Sequence, residues 1–242
     1  YLITGGYPEV VEAYLNGNTT YQLEAIKKKI YDIYVSDIMI NNNEVDSSRA
    51  MDVWYSLPYQ LIKDNRKFQY GVIKKGARSK DYENSINMLA INLIVNRSYR
   101  LQDIRSPLNT VKDSESFKLY ANDSGLLFTM LHLNKVKLLM DEDIRRLIVE
   151  NNVANVLVNM HNSLYYYQSD GKAEITFVIQ NRLGNIIPIE VVNMKLTKAK
   201  SLSLFLNKFN INDAIRITED NFSKRKGIRY IPTYAGFCLK DL

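Results

Sequence analysis

A-E-I-T-F-V at Ala173–Val178 and I-P-I-E-V-V-N-M-K at Ile187–Lys195 are two β-type segments joined by a short loop, and they decide the fold of this chain. Successive side chains of a strand point to opposite faces, so Glu174 and Thr176 share one face of the first strand. Glu190 has the matching parity on the second strand. The pattern therefore predicts that these three polar side chains lie on the same side of a sheet.

This layout resembles the core of the PD-(D/E)xK nucleases, in which an Asp and a Glu hold Mg²⁺ and a Lys lies near the activated water or the scissile phosphate. Mg²⁺ prefers oxygen ligands in near-octahedral geometry and acts as a Lewis acid that generates the nucleophile. The resemblance places Thr176 where the Asp is needed and Val192 where the Lys is needed. The expected site is therefore degenerate, and it comprises Glu150, Glu174, Thr176, Glu190 and Val192.

The resemblance covers nearly the whole chain. Its further motifs are G-G-Y-P-E-V-V at 5–11, F-K-L-Y at 117–120, D-S-G-L-L at 123–127, E-N-N-V-A-N at 150–155, L-Y-Y-Y at 164–167 and K-S-L-S-L-F at 200–205. In this order they resemble the C-terminal region of a widespread family of prokaryotic AAA-type ATPases, a region of unknown function related to the PD-(D/E)xK fold. That family usually shows E-x-D-F and I-E-V-K. The acidic positions that carry over are Glu150 and Glu190, which would be the metal ligands if this chain held a metal.

The resemblance also implies an ATPase core upstream of these residues. The sequence contains no G-x-x-x-x-G-K-[ST] motif, and Gly5-Gly6 is followed by Tyr-Pro-Glu instead of a Lys. We interpret the chain, which starts at Tyr1, as a fragment that begins where the ATPase part ends. No cofactor is therefore expected in this fragment, and Mg²⁺ or Mn²⁺ is expected only if the chain is a nuclease.

The composition indicates an ordinary globular protein of the reducing cytoplasm. Hydrophobic residues make up 46% and charged residues 24% of the 242 residues. The single Cys238 excludes an intramolecular disulfide, and one Cys with two His makes a zinc site a poor hypothesis. The sequence shows no apolar run long enough for a membrane span, so we expect a cytoplasmic chain without a membrane partner.

The positive charge is concentrated near the C-terminus. Residues 1–194 hold 22 Lys or Arg and 22 Asp or Glu, whereas residues 195–242 hold 10 and 4. A localised basic surface is expected where a protein contacts phosphates, although a solvated helix face and a basic loop are the simpler interpretation of any single run. The candidate nucleic-acid contacts in this stretch are Lys195, Lys198, Lys200, Lys224, Arg225, Lys226 and Arg229.

Periodicity predicts the elements of an α+β fold. Helices are predicted at Pro8–Leu15, Tyr21–Val35, Arg49–Lys63, Lys80–Leu93, Asp141–His161 and Ser201–Phe209. Strands are predicted at Leu93–Leu101, Phe117–Asn122, Tyr165–Gln168, Glu174–Gln180, Ile186–Val192 and near Asp213–Thr218. The polar segment Asn41–Ser48 is predicted to be a loop, with Ser47 or Ser48 as the cap of the next helix.

This order predicts two domains. Residues 1–118 form a helical part that includes a winged-helix-like segment at about 49–118. Residues 119–242 form an α/β restriction-endonuclease-like core with a central mixed sheet. A winged helix would bring Lys74, Lys75, Arg78 and Lys80 close to DNA phosphates, but acidic residues at the start of its recognition helix favour a protein-packing role instead.

Two further residue patterns have a structural and a functional interpretation. Glu150 would point toward Glu190 in a nuclease core, but an exposed helix position beside Arg145 and Arg146 is the simpler interpretation. Tyr165–Tyr167 would stack bases if exposed, whereas half-buried strand tyrosines with their hydroxyls at the rim are more common.

Three functions follow from these patterns. The first is a non-catalytic accessory region of a AAA-type ATPase, used for interaction or regulation and binding nucleic acid through the basic stretch. The second is a Mg²⁺- or Mn²⁺-dependent nuclease with an atypical site. The third is a protein-binding module that docks on its own upstream ATPase domain or on another protein. DNA, RNA and protein are therefore the expected partners.

Overall fold

The computed structural model describes residues 1–40, 44–160, 163–169, 174–192 and 200–241. Its α-helices are α1 Pro8–Leu15, α2 Thr20–Ile40, α3 Glu44–Leu61, α4 Tyr70–Ile73, α5 Ser79–Ile91, α6 Ser124–Met130, α7 Lys135–Met140, α8 Glu142–Asn159 and α9 Lys200–Phe209. Its strands are β1 Val95–Leu101, β2 Lys112–Ala121, β3 Leu164–Gln168, β4 Glu174–Gln180, β5 Ile186–Val191, β6 Ala214–Thr218, β7 Ser223–Arg225 and β8 Ile228–Pro232. Two 3₁₀ helices cover Leu108–Thr110 and Thr233–Asp241.

The predicted α+β class is confirmed, since helices precede a mixed sheet of eight strands. The predicted loop at Asn41–Ser48 is wrong from residue 44 onward, because α3 begins at Glu44 and both Ser47 and Ser48 lie inside it. Residues 41–43 lie outside the described ranges. Two acidic residues, Glu44 and Asp46, occupy the first turn of α3, where they interact favourably with the helix dipole.

The contacts divide the chain into two compact units, each formed by two segments. The first unit contains Tyr1–Arg97 and Leu119–Met140, and the second contains Ser98–Lys118 and Asp141–Leu242. A single division at residue 118 would place residues 98–118 in the first unit and residues 119–140 in the second. The contacts instead place residues 98–118 in the second unit and residues 119–140 in the first. The domain boundary predicted from the sequence stays a prediction.

In the first unit, apolar faces of α1, α2 and α6 pack together. Val10, Leu23, Ile30 and Leu126 form their buried cluster. Trp54 of α3 is 1% exposed and stacks against the rings of Tyr31 and Tyr34 of α2. Apolar residues recur along these helices with the helical period, so each helix has one apolar face. The helices pack together by burying these apolar faces.

Close backbone approach fixes the start of the first unit. Gly5 has a φ of +73°, which favours glycine, and the next amide, Gly6 N, donates to Asp123 Oδ2 at 2.7 Å. The other carboxylate oxygen of Asp123 accepts from Leu126 N at 2.9 Å and caps α6. A Cβ at Gly125 would lie 2.5 Å from Thr4 O, so only glycine fits there.

The sheet has the strand order β2-β1-β3-β4-β5-β6-β8-β7. The pairs β1–β3, β5–β6 and β6–β8 are parallel, whereas β3–β4, β4–β5 and β7–β8 are antiparallel. The segment predicted to be winged-helix-like therefore contributes β1 and β2 to this large sheet, where β1 pairs with β3.

The two faces of the sheet carry different helices in the second unit. One face packs against α9 through a core that includes Tyr165, Ile175, Val178, Phe205 and Ala214. The other face contacts α8 and the C-terminal 3₁₀ helix. Since successive side chains of a strand point to opposite faces, counting along the strand from one of these core residues shows on which face a polar side chain lies.

Candidate functional site

A β-bulge in β4 interrupts the alternation that the sequence suggested. Tyr165 is paired with Val178 and Tyr167 with Ile175, so one extra residue of β4 lies opposite Tyr166. An extra residue shifts the parity of the rest of the strand. The bulge falls at positions 176 and 177, within the segment expected to carry the site.

The bulge separates the acidic residues of the expected site. Glu174 precedes Ile175, which faces α9, so Glu174 lies on the opposite face, toward α8. Glu190 is paired with Arg216 of β6, and Arg216 shares its face with Ala214 in the α9 core. The prediction that Glu174 and Glu190 lie on the same side of the sheet is therefore wrong.

Glu190 is held by an arginine. Nε and Nη2 of Arg216 donate to Oε2 of Glu190 at 3.0 and 2.6 Å. The guanidinium of Arg216 also lies 5.7 Å from the ring centroid of Tyr230, which is its neighbour on β8. The carboxylate that was expected to bind a metal is thus neutralised by a side chain of the adjacent strand.

Glu150 and Glu174 are held by a lysine on the α8 side of the sheet. Nζ of Lys118 lies 2.5 Å from Oε1 of Glu174 and 3.9 Å from Oε1 of Glu150. The side chain of Glu150 is 0% exposed, so its interpretation as an exposed helix residue is wrong. Because this carboxylate is shielded from water, nearby cationic and polar groups must compensate for its lost hydration.

The two substituted positions have structural roles. Thr176 is 2% exposed, and its hydroxyl accepts from Val191 N at 3.1 Å, where β4 and β5 separate. Val192 follows the last residue of β5, and its amide donates to Ile217 O at 3.1 Å. Neither position supplies a carboxylate or an ammonium group.

These residues do not fit the metal centre of a nuclease. Mg²⁺ needs carboxylate and water ligands that converge on one point. Here Glu190 pairs with Arg216 on one face, and on the other face the ammonium group of Lys118 lies at the point where Glu150 and Glu174 converge. Within the described residues, no group of three or more His, Cys, Asp or Glu side chains is arranged to hold a metal ion.

The basic residues of the C-terminal stretch are only partly brought together. Lys224, Arg225 and Lys226 are exposed on the β7–β8 hairpin. Arg229 instead pairs with Asp213, Nη2 to Oδ2 at 2.8 Å. Lys200 begins α9, where only its backbone is described, and Lys195 and Lys198 lie outside the described ranges.

The hairpin turns over two residues. Arg225 and Ile228 are paired, and the two residues between them, Lys226 and Gly227, have φ values of +49° and +79°. Positive φ at both positions is the geometry of a type I′ turn, which suits the twist of a two-residue hairpin. The Arg225 guanidinium lies 5.6 Å from the ring centroid of Tyr230. The turn and this contact hold the three cations at the edge of the sheet.

The basic residues predicted in the first unit lie beside carboxylates. Lys74, Lys75 and Arg78 are exposed. Both lysines line a surface groove with the acidic residues Glu44, Asp52 and Asp81. The groove is therefore mixed in charge, unlike the hairpin.

The tyrosines of β3 do not form an exposed stacking surface. Tyr165, Tyr166 and Tyr167 are all at most 7% exposed. The hydroxyl of Tyr167 accepts from Lys208 Nζ at 2.9 Å. These side chains belong to the interior of the second unit, more deeply than the predicted half-buried position.

Sequence reasoning missed Lys118 and Arg216 as partners of the acidic residues. Each is a single cation flanked by apolar residues in a strand, in F-K-L at 117–119 and I-R-I at 215–217. The apolar neighbours of such a cation are buried on one face of the sheet. If the cation's own face is buried as well, the cation needs a carboxylate partner. That pattern was the available signal.

Comparison with known families assigns the N-terminal part. Residues 1–137, more than half of the chain, match a family described as a domain of unknown function (DUF8612). The chain belongs to this family. Residues 147–235 match a second family, also described as a domain of unknown function (DUF4143). No curated protein and no solved structure matches the chain.

The helices bear on whether the chain could cross a membrane. Within the described residues, none of them combines the length and the apolar character that crossing a bilayer requires.

Proposed function

We propose that this chain is a non-catalytic accessory region of a AAA-type ATPase that acts through interaction. The resemblance of its ordered motifs to the C-terminal region of such ATPases supports the placement, together with the match of residues 147–235 to DUF4143. One observation carries the non-catalytic assignment. Glu190 is paired with Arg216 on one face of the sheet, while Glu150 and Glu174 are paired with Lys118 on the other.

The nuclease alternative requires these carboxylates to share a metal ion. An ion pair with a cationic side chain competes directly with metal binding, because both use the same carboxylate oxygens. Bringing Glu190 to the α8 side would also require β5 to change its register, which would move each of its buried side chains to the opposite face of the sheet. The geometry therefore favours a role without metal-dependent cleavage.

The test is a titration of the wild-type chain with millimolar Mn²⁺, followed by electron paramagnetic resonance of the free ion. Plasmid, single-stranded DNA and RNA are incubated in parallel with Mg²⁺ or Mn²⁺. We expect neither binding nor cleavage. Cleavage that disappears in Glu190→Gln but persists in Asp213→Asn, a matched loss of a carboxylate just before β6, would overturn the non-catalytic assignment.

We propose the β7–β8 hairpin as the surface through which this region contacts nucleic acid. Lys224, Arg225 and Lys226 are exposed and held on a short, tightly turned hairpin. Phosphate contacts need such cations but no base-reading groups, so we expect binding without sequence preference. Because Tyr230 is contacted by the guanidinium groups of Arg216 and Arg225, its ring is not offered to a base.

Protein docking is a second candidate, favoured by a groove in the first unit. Tyr31, Tyr55, Pro58, Tyr59 and Met130 line this groove. Tyr55 and Tyr59 lie one turn apart on α3 and are 50% and 67% exposed. Exposed aromatic side chains are typical of protein contacts. Binding of the chain to an ATPase core that is abolished in Tyr59→Ala, with no affinity for DNA at low salt, would favour this function.

A further inference from the structure

The second unit contains a buried ammonium group between two carboxylates. Lys118 of β2 is 1% exposed, and its Nζ lies 2.5 Å from Oε1 of Glu174 on β4 and 3.9 Å from Oε1 of Glu150 on α8. Nζ also lies 4.8 Å from the ring centroid of Tyr166. A buried charge is tolerated only when its partners compensate for the missing hydration, so these groups depend on one another.

Two buried hydroxyl groups lie beside this cluster. Ser116 precedes Lys118 by two residues on β2 and therefore shares its face. Its Oγ and the hydroxyl of Tyr166 make no hydrogen bond of ordinary geometry within the described residues. Burial raises the pKa of Tyr166, and the nearby Ser116 hydroxyl partly offsets that effect. The two carboxylates are oxygen ligands of the kind that hard cations prefer, and the charge of Glu174 is near enough to raise the pKa of the Tyr166 hydroxyl further.

We propose that Glu150 and Glu174 form a cation site in which the ammonium group of Lys118 occupies the place of a divalent metal ion. Mg²⁺ and Mn²⁺ are the chemical class that this oxygen set would take, because one or two carboxylates with retained waters suffice for such ions. Glu174 is 24% exposed, which gives a hydrated ion a route from solvent. The lysine makes the site independent of metal.

This inference goes beyond the proposed function. It concerns the face of the sheet opposite Glu190, and it holds whether or not the chain binds nucleic acid or docks on an ATPase. It also accounts for the presence of an acidic residue at position 150 in a chain that lacks a nuclease site. The carboxylate neutralises a cation that is part of the chain itself.

The test compares two substitutions of Lys118. Lys118→Ala removes the ammonium and its stem, which opens space for an ion with its waters. Lys118→Met removes the charge but fills the same space with an apolar side chain of similar length. We expect Mn²⁺ to bind to Lys118→Ala, measured by electron paramagnetic resonance, and to raise its midpoint of thermal unfolding. Wild type and Lys118→Met should show neither effect. Adding Glu174→Gln to Lys118→Ala should weaken Mn²⁺ binding about tenfold or more.

If Lys118→Ala does not fold by itself, its refolding is followed by circular dichroism with and without Mn²⁺. Recovery that requires Mn²⁺ and fails in the Lys118→Ala/Glu174→Gln variant supports the site. Absence of recovery in both variants overturns it. Equal Mn²⁺ binding by wild type, Lys118→Met and Lys118→Ala also overturns it, because the ion would then bind elsewhere.

Discussion

Arg216 and Glu190 face each other across β6 and β5, and two nitrogens of the guanidinium donate to the same carboxylate oxygen at 3.0 and 2.6 Å. Their side chains are 9% and 12% exposed. The pair lies on the α9 face, at the position where the sequence suggested a metal ligand. Glu190 thus serves the interior of the sheet as the partner of an arginine.

Glu190→Gln should therefore lower stability. It leaves the charge of Arg216 largely buried without its carboxylate, and breaking such a pair costs about 3 kcal/mol. The free energy of unfolding in urea measures the effect. Asp213→Asn is the control, since its pair with Arg229 is more exposed, at 50% and 29%. That change should cost about 0.5 kcal/mol. Equal losses of stability in both variants would contradict the structural role of Glu190.

The elements themselves were largely readable from the sequence. Helical spacing of apolar residues predicts α1 and α8 to within two residues of their ends, and β-branched runs predict β4 and β5. These signals are local, because each element buries one face with its own period. The short helices α6 and α7 escaped because six or seven residues give too few turns for a period to emerge.

The candidate site was less predictable, because it depends on strand pairing. One extra residue of β4 opposite Tyr166 moves Glu190 to the face opposite Glu174. No local feature of the sequence encodes that register. Glu150 is likewise buried beside Lys118 of β2, which is distant along the chain. The sequence therefore did not reveal Lys118 and Arg216 as the partners of these carboxylates.

Gly125→Ala should destabilise the first unit. A Cβ at this position would lie 2.5 Å from Thr4 O and 2.6 Å from Gly5 N, both backbone atoms that cannot turn aside. Overpacking of this kind costs about 2 kcal/mol or more. Gly71→Ala in α4 is the control, because a Cβ there meets nothing within 4 Å. Thermal unfolding should show a lower midpoint for Gly125→Ala and no decrease for Gly71→Ala, and equal midpoints would refute the close approach.

Asp123 should make stability depend on pH. Burial raises the pKa of this carboxyl above its ordinary value of 3.8. This increase is only partly offset by hydrogen bonds from the backbone of Gly6, Leu126 and Gly125 and by the charge of Lys27. The folded state therefore binds the proton more tightly than the unfolded state. The stabilisation from protonated Asp123 is complete below its unfolded pKa and disappears as the pH rises through the folded pKa.

Asp123→Asn removes this titration. The free energy of unfolding of wild type minus that of Asp123→Asn should therefore fall as the pH is raised from below 3.8 to neutral. Urea unfolding across this range measures the difference. Asp141→Asn, at the N-cap of α8, serves as the control for exchanging a capping carboxylate for an amide. A difference for Asp123→Asn that stays constant with pH would show that its carboxyl has the same pKa in both states.

Charge reversal of the hairpin should weaken binding to labelled duplex DNA. The variant carries Lys224→Glu, Arg225→Glu and Lys226→Glu, and fluorescence anisotropy is measured across a salt series. Each phosphate interaction that the variant no longer makes should reduce the slope of log affinity against log salt by about 0.9. The control carries Lys74→Glu, Lys75→Glu and Arg78→Glu, which change the same net charge in the first unit. We expect the hairpin variant to bind more weakly and with a shallower slope, and the control to bind nearly as wild type does. Weaker binding by the control alone would place the phosphate contacts in the first unit, and equal binding by all three proteins would exclude both surfaces.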